Sequence, residues 1–152
     1  MDTKTQVDKS VDRFFAMVNR VHAIDQKPQN FGTDVLLHRA EIHTIEVIGK
    51  HRDLTTMSLA HLQNVTKGAA SQMISKLVKK GMLERLPSPH SKKEWLLALT
   101  EKGKVAFEHH EAFHDSMNQQ FQQHFGEGLV PFLTDLNQVI DQVESLIDHL
   151  EK

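Results

Sequence analysis

Apolar residues recur at helical spacing over most of the chain. Val11, Phe14, Phe15, Val18 and Val21 fall three and four apart, which predicts a first helix over residues 4–24. Lys27-Pro28-Gln29-Asn30-Phe31-Gly32 breaks that pattern, and the run from Leu36 to Gly49 then predicts a second helix, with Ile42, Ile45 and Ile48 among its apolar residues. Thr55 or Thr56 can cap a short helix carrying Leu59 and Leu62. Val65-Thr66 restarts the chain into a helix from Lys67 to Lys80, which Gly81 ends. The product is helix, tight turn, helix.

Two short apolar runs follow, Met82 to Leu86 and Glu94 to Leu99, around a turn with two prolines and two lysines. They predict a β-hairpin with a basic tip. Thr100-Glu101-Lys102-Gly103 starts a long helix running towards Gln123, and Gly126 and Gly128 separate it from a last helix ending near Leu150. The expected fold is mainly α with a small β-hairpin. It is a winged helix-turn-helix at residues 35–100, between an N-terminal dimerisation arm at 1–34 and C-terminal dimerisation helices at 101–152. A chain of 152 residues has little core left to cover the apolar positions of its last helix, so a homodimer is the expected outlet.

The net charge of -2 conceals a separation along the chain. Residues 50–100 carry nine Lys or Arg against three Asp or Glu, whereas residues 101–152 carry three against ten. A basic middle between neutral and acidic flanks suits a molecule with one surface for a polyanion and another for something else. The absence of cysteine excludes disulfides, thiolate catalysis and sulfur-rich metal sites. With no N-terminal apolar run and no stretch of eighteen apolar residues, the expected address is cytoplasmic and no membrane is involved.

A helix can enter the major groove of B-DNA and present polar side chains to base edges and phosphates. On the second helix of the pair, Ser71 and Gln72 are the candidate base readers, and Thr66, Lys67 and Lys76 are candidate phosphate contacts. Lys92 and Lys93 at the hairpin tip add a second basic contact. Arg52 and Arg85 are candidate backbone clamps, and equally candidate partners for nearby acids.

The segments Leu54-Thr55-Thr56-Met57-Ser58-Leu59-Ala60-His61-Leu62, Val65 to Ser71, Leu77 to Arg85 and Leu97 to Gly103 together resemble the multiple antibiotic resistance regulator (MarR) family. The resemblance covers about residues 10–150. It implies a dimer that reads a pseudo-palindromic double-stranded operator, usually as a repressor. In the wing, Ser91 stands where the family has an acid and Lys93 where it has an arginine, so positive charge is kept but planar, bidentate arginine geometry is not.

Eleven histidines are many for this length. His110 and His114 lie four apart on one predicted helix and can face the same volume. Such a pair is a weak metal signal alone, but the chain is also similar to the zinc-responsive adhesin-competence branch of the family. That resemblance implies one zinc ion per subunit held by His43, His110 and His114, with Asp25 in place of a glutamate ligand. The branch's second site is poorly matched, because Phe31 replaces a cysteine while Ile42 and His109 stand where carboxylates are expected. A family regulator sensing a small organic ligand, or none, is the alternative. His110-Glu111-Ala112-Phe113-His114 also satisfies the His-Glu-x-x-His pattern of zincin hydrolases, with Glu111 as the water-activating base. No substrate cleft or nucleophile accompanies it, so the expectation is a regulator and not an enzyme.

Overall fold

The computed structural model describes residues 2–89, 91 and 93–150, without the side chains of Ile24 and Asp25. The elements run α1 (Thr3–Asp25), α2 (Arg39–Lys50), α3 (Thr56–Leu62), α4 (Lys67–Lys79), β1 (Leu83–Pro87), β2 (Trp95–Leu99), α5 (Glu101–Phe125), a 3-10 turn (Gly126–Gly128) and α6 (Leu129–Leu150). They fall into two compact units, Met1–His110 and Glu111–Lys152. The architecture is helical with one antiparallel hairpin, a winged helix-turn-helix.

The core of the first unit forms where the helix pair meets the hairpin. Ile42, Ile45 and Ile48 of α2, Leu59 of α3, Ile74 and Leu77 of α4, and Met82, Leu83 and Leu97 of the hairpin region are all buried in one cluster. Local chemistry ends and starts these helices where the sequence places its caps. Thr55 Oγ1 accepts the Ser58 N–H at 3.2 Å, and Thr66 Oγ1 accepts the Ala69 N–H at 3.1 Å. Gly81, at φ +73°, turns the chain out of α4 in the left-handed conformation that glycine adopts without strain.

The hairpin pairs Leu83 with Leu99 and Pro87 with Trp95, and the Leu97 N–H extends the pairing by donating to Leu54 O at 2.8 Å. At its base, Thr100 Oγ1 donates to Gly81 O at 2.6 Å and accepts the Gly103 N–H at 3.1 Å. A Cβ at residue 103 would lie 2.1 Å from Met82 O. Glycine is therefore a packing requirement at that position, even though it weakens the helix locally.

The second helix begins later than the hydrophobic pattern predicts. Leu37 exchanges backbone hydrogen bonds with Gln29, at 2.8 and 3.0 Å, in an isolated bridge, and His38 is the extended residue before α2. Its N–H donates to Glu41 Oε2 at 2.8 Å, which starts the helix there and not at Leu36. In α1 the apolar positions are at helical spacing but open to solvent in the single chain, with Phe14 54% and Phe15 58% exposed.

In the second unit Phe125 stacks on Phe132, with ring centroids 4.7 Å apart, and so fastens the end of α5 to the start of α6. None of the residues of α6 is buried, although Val139, Ile140, Val143, Leu146, Ile147 and Leu150 recur at helical spacing. Among the described residues, no helix is long and apolar enough to cross a membrane.

Candidate nucleic-acid interface and metal centre

Helix α4 has one face in the core and one in solvent. Ala70, Ile74 and Leu77 are buried, so the 3.6-residue period turns Lys67, Ser71, Gln72, Ser75 and Lys76 outward. Every outward residue expected to read DNA from α4 is exposed. Thr66 has a local task, since its hydroxyl caps the helix. Lys67 and Ser71 share a cleft with Arg85, Lys93 and Trp95 of the hairpin and Thr55, Thr56 and Met57 at the start of α3. Lys92 lies outside the described residues.

A buried carboxylate holds α4 in place. Glu41, 1% exposed at its side chain, sits with Oε1 2.7 Å from Lys80 Nζ and 3.1 Å from Lys76 Nζ. Lys80 also donates to Leu36 O at 2.8 Å. Burial pushes the Glu41 carboxyl up, but the bonds from Lys80, the His38 N–H and Lys76 more than offset it, and the group titrates below its ordinary value. Lys76, expected at a phosphate, thus has an intramolecular partner while remaining half exposed. A second link joins α2 to the end of α3, where Gln63 Nε2 donates to Thr44 Oγ1 at 3.0 Å.

Among the described residues, one group could hold a metal ion: His43, Glu46 and His110, whose ligand atoms lie within 4.8 Å of one another. Glu46 Oε2 is 3.2 Å from His43 Nδ1 and 3.7 Å from His110 Nδ1. The two imidazoles meet edge to face at 5.3 Å. On its other side, Glu46 Oε1 accepts from Lys50 Nζ at 2.5 Å. Burial pushes the Glu46 carboxyl up, but Lys50, His110 and His43 together bring it below the ordinary value, so it is an anion at neutral pH. Two imidazole nitrogens and a carboxylate suit a borderline divalent ion such as zinc.

The structure thus brings His43 and His110 together, as the resemblance implies, and adds Glu46. His114 belongs to the second unit, where its ring meets Phe113 at 6.0 Å, and the Asp25 side chain is outside the described residues. At the places of the branch's second site, Phe31 packs edge-on against His110 at 5.6 Å and Ile42 is in the core. His109 lies against Gly32, where an added Cβ would come 2.3 Å from its Nε2.

Residues 37–95 match the model of the MarR family. Over this segment the chain is similar to the MarR family. Its relatives include YhjH, described as an uncharacterized HTH-type transcriptional regulator of Bacillus subtilis, 31% identical over 94 residues, or 62% of this chain and 54% of that protein. The chain spans about half the length of the curated relatives it matches. Streptococcus pneumoniae FabT, solved in complex with DNA, is similar over 94% of this chain and 99% of its own, with 25% identity and a TM-score of 0.71. The fold is also that of Lactococcus lactis ZitR, a zinc-responsive MarR family member, at 16% identity and a TM-score of 0.65 over 96% of this chain and 99% of that one.

Two residues beside the candidate sites, Glu46 and Ser75, are not singled out by the sequence pattern. Glu46 follows His43 by three residues on one helix, a spacing that puts both on one face and was the available signal. Ser75 lies one turn after Ser71 on the exposed face of α4, where its Oγ accepts from Arg85 Nη2 at 3.4 Å.

Proposed function

We propose that the protein is a homodimeric, sequence-specific DNA-binding transcriptional regulator, acting as a repressor on a pseudo-palindromic operator. The observation that carries this reading is the joint exposure of Lys67, Ser71, Gln72 and Lys76 on α4 beside a cleft shared with Lys93 and Arg85 of the wing. A helix and a wing side by side offer base-edge donors and acceptors in one groove and cations to the phosphates next to it. The DNA in the FabT structure and the regulator descriptions of the curated relatives support the same reading, and they favour it over a zincin hydrolase built on Glu111. Two copies joined through the apolar faces of α1 and α6 would set two recognition helices about one turn of DNA apart.

Zinc is the proposed effector. His43 and His110 supply two imidazoles, with His114, four residues on along α5, as the third and Asp25 as the acidic ligand that the resemblance implies. Zinc would supply a cross-link between elements, and it strengthens operator binding only if the DNA-competent conformation binds it more tightly than the alternative. A small organic effector is the second reading, favoured by an open surface depression in the second unit lined by Met117, Phe121 and Phe125 with Gln120, Gln123 and His124.

Fluorescence anisotropy of the dimer on operator DNA, run across buffered zinc concentrations, separates the two. Tighter specific binding with zinc, lost in His43→Ala, supports the zinc reading. Specific binding that ignores zinc but answers one class of organic compound supports the other.

A further inference from the structure

The inner face of the hairpin runs past the core that it covers. Residues directly opposite one another in an antiparallel pair share a face, so Leu83 with Leu99, Arg85 with Leu97 and Pro87 with Trp95 form one side of the sheet. Leu83 and Leu97 are 2% and 6% exposed, whereas Trp95, two residues nearer the tip, is 54% exposed. We infer that Trp95 is a contact for the sugar-phosphate backbone of duplex DNA, laying its indole against a deoxyribose where one strand passes between α4 and the wing. This rests on the DNA-binding reading above and deepens it by naming the part of the duplex that this surface takes.

Three observations carry the assignment. First, Trp95 is on the side of the sheet that faces the helices. The Leu97 N–H donates to Leu54 O at 2.8 Å and so docks β2 beside the entry to α3, and Trp95 lies about 6–7 Å farther along the strand. There it lines a cleft with residues 55–57 and the start of α4, and together with Met57, itself 48% exposed, it supplies the apolar part of that cleft. Second, the cleft is cationic, because Lys67, Arg85 and Lys93 line it against the single carboxylate of Glu94. An apolar ring inside a cationic rim calls for a polyanion with apolar surface of its own, and a deoxyribose between two phosphates is one. Third, Ser71 borders the cleft from α4 and Lys93 borders it from the wing. A helix in the major groove and a wing at the neighbouring minor groove have one strand's backbone between them, so that strand crosses this cleft.

Tryptophan suits the task. Its ring can cover the apolar face of a sugar and its Nε1–H can donate to a phosphate oxygen, while the side chain carries no charge. The contact is therefore blind to base sequence. It adds affinity without releasing a counterion, unlike the lysines around it.

The chain has one tryptophan and no tyrosine, so indole emission reports on residue 95 alone. The test titrates the folded protein with unlabelled duplex, either of random sequence or of a site selected from a random pool, and follows quenching of the indole by acrylamide. Affinity is measured in parallel by anisotropy of labelled duplex at several salt concentrations. Quenching is expected to fall roughly twofold as DNA binds, in step with the anisotropy, because the exposed part of the ring is covered. Trp95→Ala should weaken binding about five- to fifteenfold on both duplexes with an unchanged salt slope, and Trp95→Phe, which keeps an apolar ring, should stay within about threefold of wild type. An indole as open to acrylamide in the DNA complex as in the free protein overturns the assignment and leaves the DNA reading standing, and that arm needs no substitution. Wild-type affinity in Trp95→Ala does the same. Loss confined to the selected site would make Trp95 a base reader, and shielding that grows with protein concentration without DNA would put a second copy on this face; either overturns the assignment. Wild-type protein that binds neither duplex overturns both readings.

Discussion

Glu41 of α2 and Lys80 at the end of α4 form an ion pair of 2.7 Å whose carboxylate is 1% exposed at the side chain, and this pair ties the end of α4 to α2. Lys80 is 23% and Lys76 is 54% exposed, so the cations keep part of their hydration while the anion has almost none. Removing the anion leaves the His38 N–H without its acceptor and Lys80 with only Leu36 O. Glu41→Ala is therefore expected to cost about 2–4 kcal/mol, below the limit for a pair buried on both sides. Urea denaturation should show a lower midpoint with an unchanged slope, and Glu41→Gln should fall in between. A cost under about 0.5 kcal/mol, the range of ordinary surface changes, would mean that the pair does not hold α4.

Gly103 makes a second structural prediction. Because a Cβ there would stand 2.1 Å from Met82 O, Gly103→Ala should destabilise the protein despite the better helix propensity of alanine. Overpacking against backbone costs about 1–3 kcal/mol. Thermal unfolding checks the sign, and stabilisation by this substitution would contradict the contact.

On DNA, two substitutions should fail in different ways. If Gln72 reads bases as proposed, Gln72→Ala should lower affinity for the preferred sequence by about 1–3 kcal/mol and barely change binding to random duplex. If Lys93 meets a phosphate as proposed, Lys93→Ala should weaken both alike and reduce the salt slope by about one. Anisotropy titrations at several salt concentrations distinguish these patterns. Equal loss on specific and random DNA for Gln72→Ala would move base recognition to another residue.

Association through α6 is tested by charge. Ile140 and Ile147 lie seven residues apart on its apolar face and are 43% and 47% exposed in the single chain. Ile140→Glu with Ile147→Glu should convert a dimer to a monomer in light scattering while the helical signal of the winged domain persists. A doubly substituted protein of unchanged mass would place the dimer contact elsewhere.

Elements governed by local chemistry were legible in the sequence. The caps at Thr55 and Thr66, the stop at Gly81 and the two hairpin strands depend on a few neighbouring residues, and each lies within one residue of where the pattern places it. What escaped depends on partners distant in sequence. Leu36 to His38 look helical by periodicity, but the backbone of Leu37 belongs to Gln29. Gly103 reads as a weak point until Met82 O comes against it. In the metal cluster His43 was legible through resemblance, whereas Glu46 became prominent only once α5 brought His110 to it. The apolar stripes of α1 and α6 were correctly placed, but a single chain gives them no cover.

The most direct test of the central claim is selection by the folded protein from a pool of random double-stranded DNA, followed by sequencing. The account predicts enrichment of one pseudo-palindromic site, with half-sites centred about one helical turn, roughly 10 base pairs, apart. It also predicts that the same selection with Gln72→Ala gives a degenerate base at symmetric positions in both halves. Recovery of no preferred sequence by folded dimer, with and without zinc, would contradict it.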